Sequence, residues 1–415
     1  MFQATRQQKQ RKYLDPIHGP IQLNIRNKLE KLLISLIDTK EFQRLRRIRQ
    51  MGTGWFTFHG AEHSRFGHSL GTLFIAKKMV NHLAVNHPEI KKYKAQILIS
   101  ALLHDTGHGP FSHTSEKLTN TSHETWTKRI ILGKTEINSQ LKKFDSSLPV
   151  KVVKTLGYCG VPLYVSQIVS SYIDCDRLDY LLRDSYYVGV PYGLTGSDRI
   201  ISSLEIDKKT KRLVVNESIG LDPVIHYLHA RYSMYQQIYQ HKKNLSSDFL
   251  LKRIVERIET IKTIKQDIFK MDDVNLLSTF QAIQEKSNDR ILKDLCERFF
   301  TRKLFKSFEF RKEIQQKKIK KILNEVRLIA KKKGFDPDCY AGIEESATKP
   351  YEPYKAKGKK AIFIKQKSGK ITELSRVSNL VNALSRENVV KKCLVFAHEL
   401  ESEVTKIKDF SKLFK

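Results

Sequence analysis

The chain has 415 residues, long enough for one large core and an appended lobe. Hydrophobic residues make up 40% and charged residues 29%, a composition typical of a soluble globular protein. No uninterrupted apolar stretch approaches the ~20 residues of a membrane helix, and the polar, basic segment Met1–Lys12 lacks the apolar core of a secretory signal. The five cysteines include no Cys-x-x-Cys pair, which argues against a zinc ribbon or a disulfide framework. We therefore expect a cytoplasmic protein with no membrane contact.

The formal net charge is +31, and much of the basic excess falls in residues 1–50 and 301–415. Such a surface attracts polyanions, including nucleotides, nucleic acid and anionic membranes. The charge alone leaves two interpretations open, an anion-binding surface or a solvated surface that keeps the protein soluble.

Residues 1–14 form a basic amino-terminal arm. Two hairpins are predicted where alternating apolar residues flank a polar turn, at Ser203–Glu217 and near 360–374. The Pro/Tyr-rich connector Lys349–Tyr354 is typical of a loop. We predict a mostly α fold, with a helical domain and small β hairpins over 15–270 and a basic, mixed α/β lobe over 271–415. Apolar residues at three- and four-residue spacing predict helices at 28–50, 66–86, 93–106, 163–184 and 221–268.

The pair His104-Asp105 follows the apolar segment Ile97–Leu103 and precedes the helix breakers Gly107 and Gly109. Imidazole and carboxylate ligands together suit a borderline divalent cation such as Mn, Fe, Co or Zn. His108 lies four residues after His104, which is the spacing of one helical face. By itself, such a pair could equally cap a helix.

Two more segments carry residues of the same chemistry. Upstream, His68 lies in the first turns of an amphipathic helix. Downstream, Asp174, Asp176 and Asp179 lie among apolar residues of another helix. A carboxylate on an apolar face needs a partner, and a metal ion is one.

The order His, His-Asp, then a distant Asp resembles the HD superfamily of metal-dependent phosphohydrolases. This resemblance implies an HD-domain helical core and a divalent metal (Mn, Fe, Co, Zn or Mg) held by His68, His104, Asp105 and Asp176. Within this superfamily, the chain resembles the deoxynucleoside triphosphate triphosphohydrolase (dNTPase) branch, which includes bacterial members and the vertebrate enzyme with a sterile alpha motif. The resemblance rests on six blocks, namely Asp15–Gly19, Phe42–Arg46, Gly60–Ser69, His104–His113, Asp176–Asp184 and Tyr239–Lys242.

The resemblance also implies the catalytic groups. His113 would be the acid or the residue that activates the nucleophile, since an imidazole exchanges protons near neutral pH. Glu116, His123 and Glu124 would support it, and His108 completes the set. Glu116 stands where the family has a shorter Asp, and His123 could instead be a surface residue of the polar loop Thr119–Ser122.

For the substrate, the resemblance implies a deoxynucleoside triphosphate (dNTP). Arg65 and Arg177 would face phosphate oxygens, and Tyr180 would lie under the sugar and exclude a 2′-hydroxyl. The 3′-hydroxyl would be bound by Gln50 and Asp184, with Arg231 and Tyr239 extending the nucleotide pocket.

Asp38, Gln43 and Arg46 match family residues that bind an activating guanine nucleotide, GTP or dGTP, between subunits. Leu14 departs from the polar residue of that regulatory site. The resemblance implies a homo-oligomer, a dimer or a tetramer, with the 271–415 lobe taking part in oligomerisation or regulation.

Two alternatives remain open from the sequence. The HD core alone would also suit a phosphodiesterase or a nuclease that acts on nucleic acid or on a nucleotide second messenger. The net charge would also suit a protein that binds single-stranded nucleic acid and has a vestigial hydrolase site. The biological role could be control of nucleotide pools or antiviral defence against phage.

Overall fold

The computed structural model describes residues 10–119, 121–260, 270–353 and 358–414. Its first element is an antiparallel hairpin of β1 (Gln10–Asp15) and β2 (Gly19–Asn24). Gly19 has a φ of 67°, the left-handed conformation that glycine adopts without strain. The Asp15 carboxylate accepts the backbone N–H groups of Ile17 and His18, so the turn is closed from within.

Helices dominate residues 28–188. In α1, Leu32, Leu33 and Leu36 are buried because they recur on one helical face. The helices of this region are α1 (Lys28–Ile37), α2 (Lys40–Gln43), α3 (Arg65–Asn86), α4 (Lys94–Leu103), α5 (His113–Thr119), α6 (His123–Leu132), α7 (Glu136–Phe144), α8 (Leu148–Leu156), α9 (Leu163–Gln167) and α10 (Cys175–Val188).

The remaining elements mix helices and short strands. Those up to residue 260 are α11 (Ser197–Ser202), β3 (Leu204–Asp207), β4 (Arg212–Asn216), α12 (Glu217–Met234), a π-helical turn (Tyr235–Tyr239) and α13 (Lys242–Thr260). Those after residue 270 are α14 (Asp273–Lys286), α15 (Arg290–Phe300), β5 (Lys306–Glu309), α16 (Gln316–Lys332), α17 (Pro337–Tyr340), β6 (Ala341–Thr348), β7 (Phe363–Lys365), β8 (Ile371–Glu373), α18 (Asn379–Arg386), β9 (Val389–Phe396), α19 (Glu401–Val404) and α20 (Phe410–Leu413).

Both predicted hairpins are confirmed, as the antiparallel pairs β3–β4 and β7–β8. They also join into one four-stranded sheet of order β3-β4-β7-β8, since β4 runs parallel to β7 with Val215 opposite Ile364. A second sheet has the order β5-β9-β6. The mostly α prediction with a mixed α/β carboxy-terminal region is therefore confirmed.

Buried apolar side chains form two clusters that interleave along the chain. The first cluster runs from Ile21 to Ile238 and takes in a later group, namely Tyr351, Ile362, Ile364, Leu374, Val381 and Leu384. The second cluster gathers residues from Leu245 to Phe414, together with Phe56 and Phe111 from earlier in the chain. The domain limits at 14 and 270 stay predictions.

Three predicted helices are interrupted. The helix predicted over 28–50 ends at Ile37, and a new one begins after Thr39. The helix over 163–184 breaks between α9 and α10, because Asp174 caps α10 by accepting the Arg177 N–H at 2.7 Å. The helix predicted over 221–268 is interrupted by the π-helical turn between α12 and α13.

The β1–β2 hairpin was not predicted, because its strands were assigned to the basic arm and the segment after it. Parts of the predicted segments lie outside the described residues, including 1–9 of the arm, 261–268 of the helix over 221–268, Asn120 of the loop Thr119–Ser122, and Tyr354 of the connector. None of the helices that the structure describes is both long enough and apolar enough to cross a membrane.

Candidate active site

A cavity of about 470 Å³ is lined by residues of α3, α5, α6, α10, the π-helical turn and α13. Most of the predicted site residues line it, namely Gln50, Arg65, His104, Asp105, His108, His113, His123, Glu124, Asp176, Arg177, Tyr180, Asp184 and Tyr239. Two more, His68 and Glu116, contact this lining directly. The fold therefore brings together residues that lie up to 189 positions apart.

The four predicted metal ligands converge at one end of the cavity. Ligand atoms of His68, His104 and Asp105 all lie within 4.8 Å of one another. Asp176 Oδ1 lies 3.1 Å from His68 Nε2 and 3.7 Å from His104 Nε2. Helix α3 supplies His68, the end of α4 supplies the His-Asp pair, and the first turn of α10 supplies Asp176.

Outer contacts set the orientation of both imidazoles. His68 Nδ1 lies 2.8 Å from Asp179 Oδ2, and His104 Nδ1 lies 2.9 Å from the Ala101 carbonyl oxygen. Such contacts fix the tautomer and leave each Nε2 for a metal. Within the described residues, the buried His104 Nε2 forms no hydrogen bond. Two imidazoles and two carboxylates around an orphaned nitrogen fit a borderline divalent cation.

A buried network stands behind His68. Asp179 also lies 2.6 Å from His18 Nε2 and accepts Arg183 Nε at 2.8 Å. Arg183 also binds Asp15, because its Nη1 donates to Asp15 Oδ2 at 2.9 Å. Burial would raise the pKa of Asp179, but Arg183 and the two histidines hold it well below its usual range.

These residues lie in the family-like blocks of the sequence, but their supporting role was not predicted. The available signal was an acid and an arginine four residues apart on an apolar helix, a spacing that permits a buried ion pair.

Three histidines surround one carboxylate oxygen beside the metal ligands. Glu116 Oε1 lies 2.6 Å from His123 Nδ1, 2.9 Å from His113 Nδ1 and 3.7 Å from His108 Nδ1. The longer Glu116 side chain thus reaches both His113 and His123. Burial would raise its pKa, but His113 and His123 lower it to about 2, so Glu116 is charged at neutral pH.

The rings of His108 and His123 stack with centroids 3.8 Å apart. Burial and the Arg65 charge hold the pKa of His108 well below its usual range, so this imidazole is neutral. The side chain of His123 is only 19% exposed and belongs to this group, so His123 is not a surface residue of the polar loop.

The basic side chains of the cavity are anchored by the protein. Arg65 forms an ion pair with Asp105 Oδ2, and its Nε donates to Ser112 Oγ at 2.7 Å. Arg177 Nε donates to the Ser171 carbonyl oxygen at 2.6 Å. Both guanidinium groups are therefore preorganised beside the metal ligands.

A tyrosine–carboxylate pair lies farther from the metal ligands. Tyr239 Oη donates to Asp184 Oδ2 at 2.7 Å, and His63 Nε2 lies 2.7 Å from Asp184 Oδ1. The ring of Tyr180 lies edge-on to Tyr239, with centroids 6.3 Å apart. The buried Gln50 Oε1 has no hydrogen-bond partner within the described residues.

Arg231 is not among the residues that line the cavity. Its Nη1 donates to the carbonyl oxygens of Lys349 and Pro350, which turns the guanidinium away into the protein. Tyr235, four residues later on the π-helical turn, lines the cavity instead, and Arg231 lies 4.7 Å from its ring centroid. Tyr235 was not predicted as a site residue, because a π-helical turn changes which positions share a helical face.

The three predicted regulatory residues lie together on the surface, outside the cavity lining. Asp38 accepts Arg11 Nη1 at 2.5 Å, and Gln43 Oε1 accepts Arg46 Nε at 2.8 Å. The neighbouring Leu14 is 85% exposed. A regulatory role for this group stays a prediction.

Comparisons with known proteins agree with this geometry. The HD domain family matches residues 65–156, and the HD associated region matches residues 196–408. The Bacillus subtilis protein YwfO is 36% identical over 95% of this chain and 94% of its own length. A phosphohydrolase structure from Bacteroides thetaiotaomicron has a TM-score of 0.78 and 25% identity, covering 93% of this chain and 99% of that one.

The human deoxynucleoside triphosphate triphosphohydrolase SAMHD1 is 29% identical over 55% of this chain. The match spans 41% of the human protein, less than half of its length. The resemblance to the HD superfamily is thus confirmed. Taken with the metal-ligand geometry, these matches show that the chain belongs to the HD-domain phosphohydrolase family and is similar to its dNTPase branch.

Proposed function

We propose that this protein is a metal-dependent dNTPase, which converts a dNTP to a deoxynucleoside and inorganic triphosphate. The observation that carries the proposal is one cavity in which the metal-ligand group and the Tyr239–Asp184 pair lie together. The first suits a phosphate and the second suits a sugar hydroxyl. The names of the phosphohydrolase and triphosphohydrolase relatives support the same reaction class.

His68, His104, Asp105 and Asp176 would hold the cation, which when bound neutralises phosphate charge and lowers the pKa of a bound water. In the reaction, a water oxygen bonds to the α-phosphorus and the bond from phosphorus to O5′ breaks. The leaving O5′ takes up a proton. His113 suits that transfer, because its Nδ1 is engaged by Glu116 and its Nε2 is left for the substrate.

Arg65 and Arg177 would orient the phosphate oxygens, with the planar donor geometry of a guanidinium. Tyr180 would pack against the sugar, where its ring leaves no space for a 2′-hydroxyl. Asp184 would accept from the 3′-hydroxyl, since each carboxylate oxygen can accept more than one hydrogen bond.

A direct assay tests the reaction. Purified protein is incubated with each dNTP and each ribonucleotide, with Mn, Mg, Co, Fe or Zn, and with and without GTP or dGTP as activator. We expect inorganic triphosphate and a deoxynucleoside from dNTPs, with ribonucleotides hydrolysed far more slowly. Release of orthophosphate or pyrophosphate from a dNTP would overturn the proposal in favour of a different nucleotide phosphohydrolase. Cleavage of RNA, DNA or a cyclic dinucleotide in place of dNTPs would overturn it in favour of a phosphodiesterase or nuclease.

The same assay measures the effect of the substitution Glu116→Gln on hydrolysis. Both His113 and His123 contact the same Glu116 oxygen, and the neutral amide oxygen of glutamine would bind the two imidazoles more weakly than a charged carboxylate oxygen does. We expect kcat to fall by about 10- to 100-fold, the lower part of the range for general acid–base groups. Metal content should not change, because Glu116 is not among the proposed ligands.

A matched control is Glu89→Gln, which alters another His–Glu pair: the exposed Glu89 lies 3.7 Å from His87, and neither residue lines the cavity. That variant should keep the wild-type kcat. Equal rates for wild type and Glu116→Gln would contradict the assigned role of Glu116.

A further inference from the structure

The turn before α5 has an unusual backbone. Phe111 and Ser112 have φ values of 53° and 56°, the left-handed region that side-chain-bearing residues rarely adopt. His113 follows immediately and begins α5. Such a conformation persists only where the surrounding structure holds it.

Asp273, the first residue of α14, holds this turn from a distant part of the chain. Its Oδ1 accepts the Phe111 N–H at 2.8 Å. Its Oδ2 accepts the Arg49 N–H at 3.0 Å, directly before Gln50. One carboxylate thus joins the two backbone segments that present Gln50 and His113 to the cavity.

Side chains link the same two segments. Ser112 Oγ donates to the Arg49 carbonyl oxygen at 2.6 Å. The Phe111 ring belongs to the second buried cluster and packs edge-on against Phe299, with centroids 5.8 Å apart. The Phe111 N–H and the Phe111 ring therefore both anchor the turn to the carboxy-terminal part of the chain.

The Asp273 carboxylate is costly to bury, since it is 2% exposed and its nearest basic group, Arg49 Nη1, lies 3.5 Å away. Burial raises its pKa to about 6, against the effect of the two N–H donors. A neutral residue would avoid this cost but could not accept from both N–H groups.

We propose that Asp273 is a positioning residue of the active site: it clamps the segments of Arg49 and Phe111 and so sets the relative placement of Gln50 and His113. The inference rests on the proposed function, because the consequence is expected in dNTP hydrolysis. The contact itself can be tested without a substrate.

The experiment compares Asp273→Asn and Asp273→Ala with Asp272→Asn in the full chain. Asp272 is a matched control, because it is equally buried at 2% exposure but binds Arg47 and caps α14. Three quantities are measured: kcat and KM for the dNTP that the wild type hydrolyses fastest, the thermal unfolding midpoint, and amide hydrogen exchange in peptides covering 48–53 and 109–114.

We expect Asp273→Asn to lower kcat by about 10- to 100-fold, as a small misplacement of reacting groups does. KM should stay within about threefold, because Asp273 does not itself contact a proposed metal ligand or a phosphate-binding arginine. Asp273→Ala should lose more, since it removes both acceptors. Exchange in both peptides should rise in the Asp273 variants and stay at the wild-type level in Asp272→Asn, which should keep its kcat.

A kcat of Asp273→Asn within twofold of wild type overturns the inference and leaves the proposed function intact. An equal loss of kcat and stability in Asp272→Asn overturns it too, because it would indicate general destabilisation. If the wild type releases no triphosphate from any dNTP, the proposed function fails. The exchange data then decide, and unchanged exchange at both segments in Asp273→Asn overturns the clamp.

Discussion

Asp105→Ala is expected to abolish metal binding and to lower dNTP hydrolysis by about 1,000-fold or more, since metal-based charge stabilisation supplies several kcal/mol. Both oxygens of Asp105 are engaged at the centre of the site. Oδ1 lies 3.2 Å from His104 Nε2, and Oδ2 lies 3.6 Å from His68 Nε2. Triphosphate release and metal content per chain, measured on the same preparation, check the result.

Asp105→Ala also leaves the buried Arg65 without its carboxylate, which is destabilising in itself. His104→Ala avoids this problem, because it removes a ligand and keeps the Arg65–Asp105 pair. We expect the same loss of metal and activity from it. The exposed Asp198, which pairs with Lys78 at the surface, offers a control in Asp198→Ala. A full metal complement and wild-type rate in both active-site variants would contradict the assigned ligands.

Gly71→Ala is expected to cause the largest loss of stability, about 3 to 5 kcal/mol in the free energy of unfolding. A β-carbon at Gly71 would overlap Asp179 Oδ1 and Arg183 Nη2. These groups cannot move aside, because Asp179 is held by His18, His68 and Arg183 together. Urea denaturation measures the change, and metal affinity should fall with it because His68 loses its fixed orientation.

Gly67→Ala is the matched control, one turn earlier on α3. A β-carbon there would lie 3.5 Å from Arg183 Nη1, an ordinary contact. Alanine is also a better helix former, so this variant should be stabilised by as much as ~1 kcal/mol. If both alanine variants unfold at the same urea concentration, the side chains of Asp179 and Arg183 do not lie as close to Gly71 as the structure indicates.

Local patterns indicated the segments that carry the proposed metal ligands, because the His-Asp pair, His68 and Asp176 each lie among apolar residues of a predicted helix. The choice of these four residues as ligands came from the resemblance to the HD superfamily. The two hairpins followed in the same way from alternating residues around a turn. Groups that depend on contacts distant in sequence did not follow. Asp15 and Arg183 meet only in the folded protein, 168 positions apart.

Two further features did not follow from the sequence, one for a local reason and one because of distant contacts. Asp174 looked like one more acid on a long helix, but its carboxylate caps α10 and thereby breaks that helix. Arg231 has the spacing of a cavity residue, yet backbone carbonyls at Lys349 and Pro350 bind it. No pattern near Arg231 could indicate partners more than 100 positions away.

The parallel pairing of β4 with β7 has a consequence for how the protein is made. Val215 meets Ile364 across this pair, so the first buried cluster lacks a strand until about 150 further residues have been synthesised. At about 5 to 20 residues per second, that takes roughly 7 to 30 s. During this interval the nascent chain exposes one edge of β4 and the apolar surface beside it. The first buried cluster is therefore completed only late in translation.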